Sequence, residues 1–147
     1  MDTSGLVVAA GEGGQVLSPV GGSITFKVRG EDSDERLTVF ESVIPAGEGP
    51  PLHVHANEDE VLYVLDGSFR FQLGEAVSAA PAGSLMFVPR GVPHTWQNAG
   101  DGPGRLMITF TPSGMERFFD VAEGERSAFE RLGAELGMTV VGPPLRD

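Results

Sequence analysis

Apolar and polar residues alternate through most of the chain. Ile24, Phe26 and Val28 alternate with polar positions over residues 23–28, and Phe69, Phe71 and Leu73 alternate with Ser68, Arg70 and Gln72. A period of two turns one apolar face to a core and predicts half-buried strands. The same reading predicts strands over residues 37–44, 52–55, 60–65, 85–88, 94–98 and 105–111. Turn signals separate them: Pro45-Ala46-Gly47, Asp66-Gly67 and Pro89-Arg90-Gly91. Asp-Gly is a hairpin dipeptide, and glycine supplies the positive φ that such turns need. Many short strands at this spacing predict an all-β, antiparallel sandwich or barrel. Residues 29–35 read as a hairpin loop, whose Glu31, Asp32, Asp34 and Glu35 form a solvated turn without EF-hand spacing. Residues 1–22 are Gly-rich and predict no strand.

The pattern changes after Pro112. Ser113-Gly114-Met115-Glu116 has the spacing of a capping box, so a helix is predicted to start at Ser113. A second helix is predicted over residues 125–136, with Ala128, Phe129, Leu132 and Leu136 on one face and Gly137 as its C-terminal cap. These helices, within a tail at about 113–137, are predicted to cover the outside of the barrel.

Composition narrows the functional classes. The chain has 147 residues, which suits one domain over 1–147, and 40% of them are hydrophobic. The formal net charge is −11, with 21 acidic against 10 basic side chains. Binding to nucleic acid or to an anionic membrane surface needs the opposite balance, so neither partner is expected. There is no cysteine, which excludes disulfides, cysteine-ligated metals and cysteine nucleophiles. The N-terminal stretch has no basic segment followed by a long apolar run, so a cytoplasmic location is expected.

The sequence holds three histidines, His53, His55 and His94. His53 and His55 are two residues apart on a predicted strand, so their imidazoles project to the same face. Glu60 follows after a short polar turn and can return its carboxylate to that pair. His94 opens a later strand after the turn over residues 89–93. Three imidazoles and a carboxylate suit a divalent transition metal with open coordination positions for water, substrate or dioxygen.

The stretch GEGPPLHVHANEDEVLYVLDG, residues 47–67, resembles the first motif of the cupin family: Gly47, His53, His55, Glu60 and Gly67 all fit its spacing. The stretch GSLMFVPRGVPHTWQN, residues 83–98, resembles the second, with Gly83, Pro89, Gly91, His94 and Asn98 in place. Further segments, among them TFKVRGED, TPSGMERFF and GMTVVGPPL, look like single-domain cupins of the quercetin-dioxygenase-like group. The resemblance implies a cupin β-barrel (a double-stranded β-helix, or jelly roll) with short C-terminal helices. It also implies one divalent metal ion (iron, manganese, nickel, cobalt, copper or zinc) on His53, His55, Glu60 and His94.

The implied activity is that of a dioxygenase acting on a small aromatic or enediol-like substrate, with Glu60 also accepting a substrate proton. Phe40, Leu62, Phe71, Phe87, Trp96 and Met107 are the expected substrate-binding residues. Two alternatives stand beside it: a non-redox cyclase, isomerase or lyase, and a ligand-binding cupin without catalysis. For the non-redox chemistry no further histidine is present to act as base, leaving Glu60, Glu48, Glu58, Asp59 and Tyr63 near the motif. Lys27 and Arg90 are the two cations that could hold a carboxylate or enolate at the barrel mouth, and both are expected at the surface. The resemblance also implies a homodimer, and apolar residues on both faces of the strand at 61–65 are consistent with a second packed layer or a partner.

Overall fold

The computed structural model describes residues 4–146, so residues 1–3 of the N-terminal stretch read above lie outside it. Eleven strands build the fold: β1 (Gly14–Leu17), β2 (Ser23–Val28), β3 (Thr38–Ile44), β4 (Pro51–His55), β5 (Asp59–Asp66), β6 (Ser68–Leu73), β7 (Ala76–Pro81), β8 (Leu85–Val88), β9 (His94–Asn98), β10 (Gly104–Thr111) and β11 (Met138–Pro144). They pair antiparallel into two sheets, a six-stranded one in the order β1-β2-β3-β10-β5-β8 and a five-stranded one in the order β11-β4-β9-β6-β7. This is the cupin jelly roll expected from the sequence.

The inward faces follow the period of two. Thr38, Phe40, Ser42 and Ile44 are buried on β3; Glu60, Leu62 and Val64 on β5; and Leu106, Ile108 and Phe110 on β10. Each large apolar side chain taken fully out of water contributes about 1.5–3 kcal/mol, so this alternation fixes strand register as well as stability. Asn98 ties the end of β9 to its surroundings. Its Nδ2 donates to the carbonyls of Ile44 and Gly102, both at 2.9 Å. Gly67, at φ +95°, makes the tight β5–β6 turn that a side chain would strain.

Three strands, β1, β7 and β11, were not predicted, and all three are sheet edges. β1 and β7 are largely exposed along their length, so neither shows an apolar face in the sequence. β11 ends in Gly142-Pro143-Pro144, which reads as a terminator although proline is tolerated on an edge strand.

The tail also departs from expectation. Helix α1 spans Glu116–Ala122 and is capped at Met115, with no side-chain capping bond. Ser113 instead donates to Glu35 across the surface. The helix predicted over 125–136 is broken into α2 (Ala128–Arg131) and a 3-10 turn, Gly133–Leu136. Gly133 lies where a Cβ would meet Met138 Cε at 2.7 Å, a close approach that brings β11 back onto the turn. Gly137 does cap the segment in the left-handed conformation, at φ +80°. Among the described residues, no helix is long and apolar enough to cross a membrane.

Candidate metal centre

β4 and β9 are neighbours in the five-stranded sheet, and their register sets His53 opposite His94. His55 lies two residues along β4 on the same inward face. Glu60 is the second residue of β5, which belongs to the opposing sheet, so the site bridges both layers. Two contacts hold the ligand-bearing turns together. The Gly91 amide donates to the His55 carbonyl at 2.8 Å. The Arg90 amide and Nε both donate to Asp59 Oδ1, at 2.9 and 3.2 Å.

The chain thus brings His53, His55, Glu60 and His94 together, all buried, with one candidate ligand atom from each within 4.8 Å of the others. The backbone sets two of the tautomers. His53 Nδ1 donates to the Pro51 carbonyl at 2.7 Å and His94 Nδ1 to the Val92 carbonyl at 3.0 Å, so Nε2 of each ring faces the cluster. Hydrogen-bonding the outer ring nitrogen is how proteins aim a metal-binding imidazole. His55 Nε2 is buried in the cluster with no hydrogen-bond partner and lies 3.4 Å from Glu60 Oε1. An orphaned imidazole nitrogen beside a carboxylate and two further imidazoles is a donor set that fits a divalent transition metal.

The electrostatics are those of a site prepared for positive charge. Burial, together with the charges of His94 and His55, pushes His53 down to about 3. Burial alone would raise Glu60, but the charges of His94 and His55 and the hydrogen bond from His94 hold it well below the usual carboxylate range. His94 runs the other way: burial lowers it, but the Glu60 charge and hydrogen bond raise it above the ordinary histidine value. His94 Nε2 lies 2.7 Å from Glu60 Oε1.

A small cavity, about 40 Å³, opens onto this cluster. Phe40 and Trp96 line it, as do His53, His55 and Glu60. Leu62 and Phe71 are buried in the core without lining it. Phe87 and Met107, expected at the substrate, lie on the outer face, 53% and 37% exposed. Their inward-facing neighbours Met86, Val88, Leu106 and Ile108 take the core side, so strand parity excludes these two.

The wall also holds residues the sequence did not point to: Ser18, Ser42, Phe119, Phe129 and Met138. Phe119 and Phe129 come from the helical tail, which therefore closes the cavity rather than covering the barrel's outside. The apolar face that carries Phe129 was legible, but not the surface it meets. Lys27 donates to the Ala9 and Glu12 carbonyls at the surface, and neither it nor Arg90 reaches the cavity.

Residues 40–110, which hold all four of these ligands, match the family model of the cupin domain. The chain's similarity to an uncharacterised protein of Methanocaldococcus jannaschii is 26% identity over 77 residues, covering 52% of this chain and 62% of that one. Germin-like protein 1 of Brassica napus is 35% identical over 66 residues, covering 42% of this chain and 32% of its own. The cupin match therefore spans less than two thirds of these relatives' lengths. Among solved structures, a predicted oxalate decarboxylase from Thermotoga maritima superposes with a TM-score of 0.66 at 21% identity, covering 73% of this chain and 99% of that one.

Proposed function

We propose that this protein is a metal-dependent cupin oxygenase of the quercetin-dioxygenase type, acting on a small aromatic or enediol-like substrate at His53, His55, Glu60 and His94. The observation that supports this reading is the character of the cavity wall. Beside the metal cluster it is apolar and aromatic, with the Ser18 and Ser42 side chains as further polar groups and no lysine or arginine. A compact, uncharged aromatic fits such a wall. A substrate with a second carboxylate or a phosphate away from the metal would have no counter-charge there.

A divalent metal in this ligand set supplies Lewis acidity and, with a redox-active ion, electron transfer to dioxygen. The chain's own residues do the rest. Phe40, Phe110 and Phe129 hold the planar part of the substrate and exclude water. Ser42, buried on β3, offers a hydrogen bond to an oxygen of the bound molecule. Glu60, which lines the cavity, is placed to accept the proton of a substrate hydroxyl.

The test is dioxygen uptake by protein loaded in turn with iron, manganese, nickel, cobalt and copper, against flavonols, catechols and enediols. Consumption that depends on substrate and metal is expected. Uptake with none of them would overturn the oxygenase reading. Turnover without dioxygen in the zinc form would select lyase or isomerase chemistry instead, and saturable binding without turnover would select a binding protein.

We also infer a homodimer built on the outer face of the six-stranded sheet. Val61 pairs with Phe87, Tyr63 with Leu85, and Met107 with Tyr63, giving one outward apolar patch beside the open edge of β8. Two copies each carrying a net charge of −11 repel over most of their surfaces, whereas the acidic side chain beside this patch, Glu41 opposite Met107, is paired with Arg105. A self-complementary patch of this kind suits a two-fold contact.

A further inference from the structure

Among the described residues, the buried side-chain nitrogen and oxygen atoms without a hydrogen-bond partner are His55 Nδ1, His55 Nε2 and Glu58 Oε1. The metal centre accounts for Nε2. The other two face each other: His55 Nδ1 and Glu58 Oε1 are 4.0 Å apart, and the residues are 3% and 6% exposed. Glu58 is two residues before Glu60, so both carboxylates point inward where the chain enters β5. An orphaned buried donor or acceptor destabilises the fold, and one hydrogen bond relieves both here. Closing the gap takes a movement of about 1 Å, well within a side-chain adjustment.

We propose that Glu58 accepts the Nδ1–H hydrogen bond of His55 and fixes the tautomer that presents Nε2 to the metal. The proposal rests on the metal-centre reading and makes Glu58 a positioning residue. It also separates the three histidines. His53 and His94 are backed by neutral backbone carbonyls. His55 is backed by a carboxylate, whose charge makes its ring the more electron-rich ligand. The outer Glu58 oxygen, Oε2, faces Gly114 at the entry to α1, where a Cβ would come within 3.8 Å of it. Glu58 therefore joins the metal centre to the segment that carries Phe119 into the cavity.

The test compares the wild type with Glu58→Ala and Glu58→Gln by long-range proton–nitrogen spectra of the imidazole rings. Spectra are recorded in alkaline solution with a chelator present. The expected wild-type result is His55 protonated at Nδ1. In Glu58→Ala it becomes a mixture of tautomers, while His53 and His94 stay unchanged. Zinc affinity, by chelator competition, falls about 10–100-fold in Glu58→Ala and less in Glu58→Gln, which keeps an acceptor oxygen. An amide spectrum confirms that each variant is folded. If Glu58→Ala does not fold, an upfield shift of the His55 ring proton in Glu58→Gln carries the same information. An unchanged His55 tautomer in folded Glu58→Ala, or an unmoved ring proton in Glu58→Gln, overturns the proposal. If the wild type binds no zinc, the metal-centre reading fails, and the ring spectra still decide the role of Glu58.

Discussion

Glu116 offers a quantitative test of how the helical tail is held over the cavity. Its carboxylate accepts from Thr38 Oγ1 at 2.6 Å, the Gly30 amide at 2.7 Å and the Gly114 amide at 2.7 Å. It thereby ties the start of α1 to the β2–β3 connection and to β3. In Glu116→Ala the Thr38 hydroxyl and the Gly30 amide, both buried, lose their acceptor. Each orphaned group costs about 1–3 kcal/mol, while the half-buried Gly114 amide finds water, so the expected loss is about 3 kcal/mol. For a chain of this length that is a fall in Tm of roughly 10 °C.

The loss should depend on pH. Burial would raise the Glu116 pKa, but hydrogen bonds from Thr38, Gly30 and Gly114 hold it below the ordinary value. A depressed carboxylate contributes stability above its unfolded pKa of about 4.3, and that contribution fades as pH falls through the folded value. The gap between wild type and Glu116→Ala should therefore be full at neutral pH and narrow in acid. Thermal and urea melts across that range provide the assay. A neutral-pH difference below about 0.5 kcal/mol, or one that does not change in acid, would refute the anchoring role.

Trp96, the one tryptophan, lines the same cavity as His53, His55 and Glu60, so a paramagnetic ion such as cobalt should quench its fluorescence saturably in the wild type and not in His53→Ala. His94 is held above its ordinary pKa by Glu60, so metal binding must displace that proton. Calorimetry in buffers of different ionisation enthalpy should show net proton release on metal binding, and affinity rising with pH until His94 is deprotonated in the free protein. Phe87→Glu places a charge in the outward apolar patch and should convert a dimer into a monomer in sedimentation equilibrium; an unchanged mass would remove that face as the contact.

The candidate ligands and the inward strands were legible because their information is local. A two-residue spacing fixes a face, and His53, His55, Glu60 and His94 each sit one short turn from a Pro-Gly or polar break. Phe87 and Met107 were misplaced although parity from Val88 and Leu106 sends both outward. The edge strands β1 and β7 were missed because little of either is buried, so neither has an apolar face to read. The face that carries Phe129 has a clear apolar spacing, but the surface such a face meets depends on contacts far along the chain. The close approach of Glu58 to His55 was equally invisible, since a carboxylate in a polar turn is ordinarily solvated.

The central claim is that His53, His55, Glu60 and His94 hold one metal ion. Inductively coupled plasma mass spectrometry of the untagged wild type, His53→Ala and His94→Ala, each reloaded with the same metal and desalted, tests it most directly. The account predicts about one transition-metal ion per wild-type chain and a large loss in both variants. Full stoichiometry retained in either folded variant would contradict it.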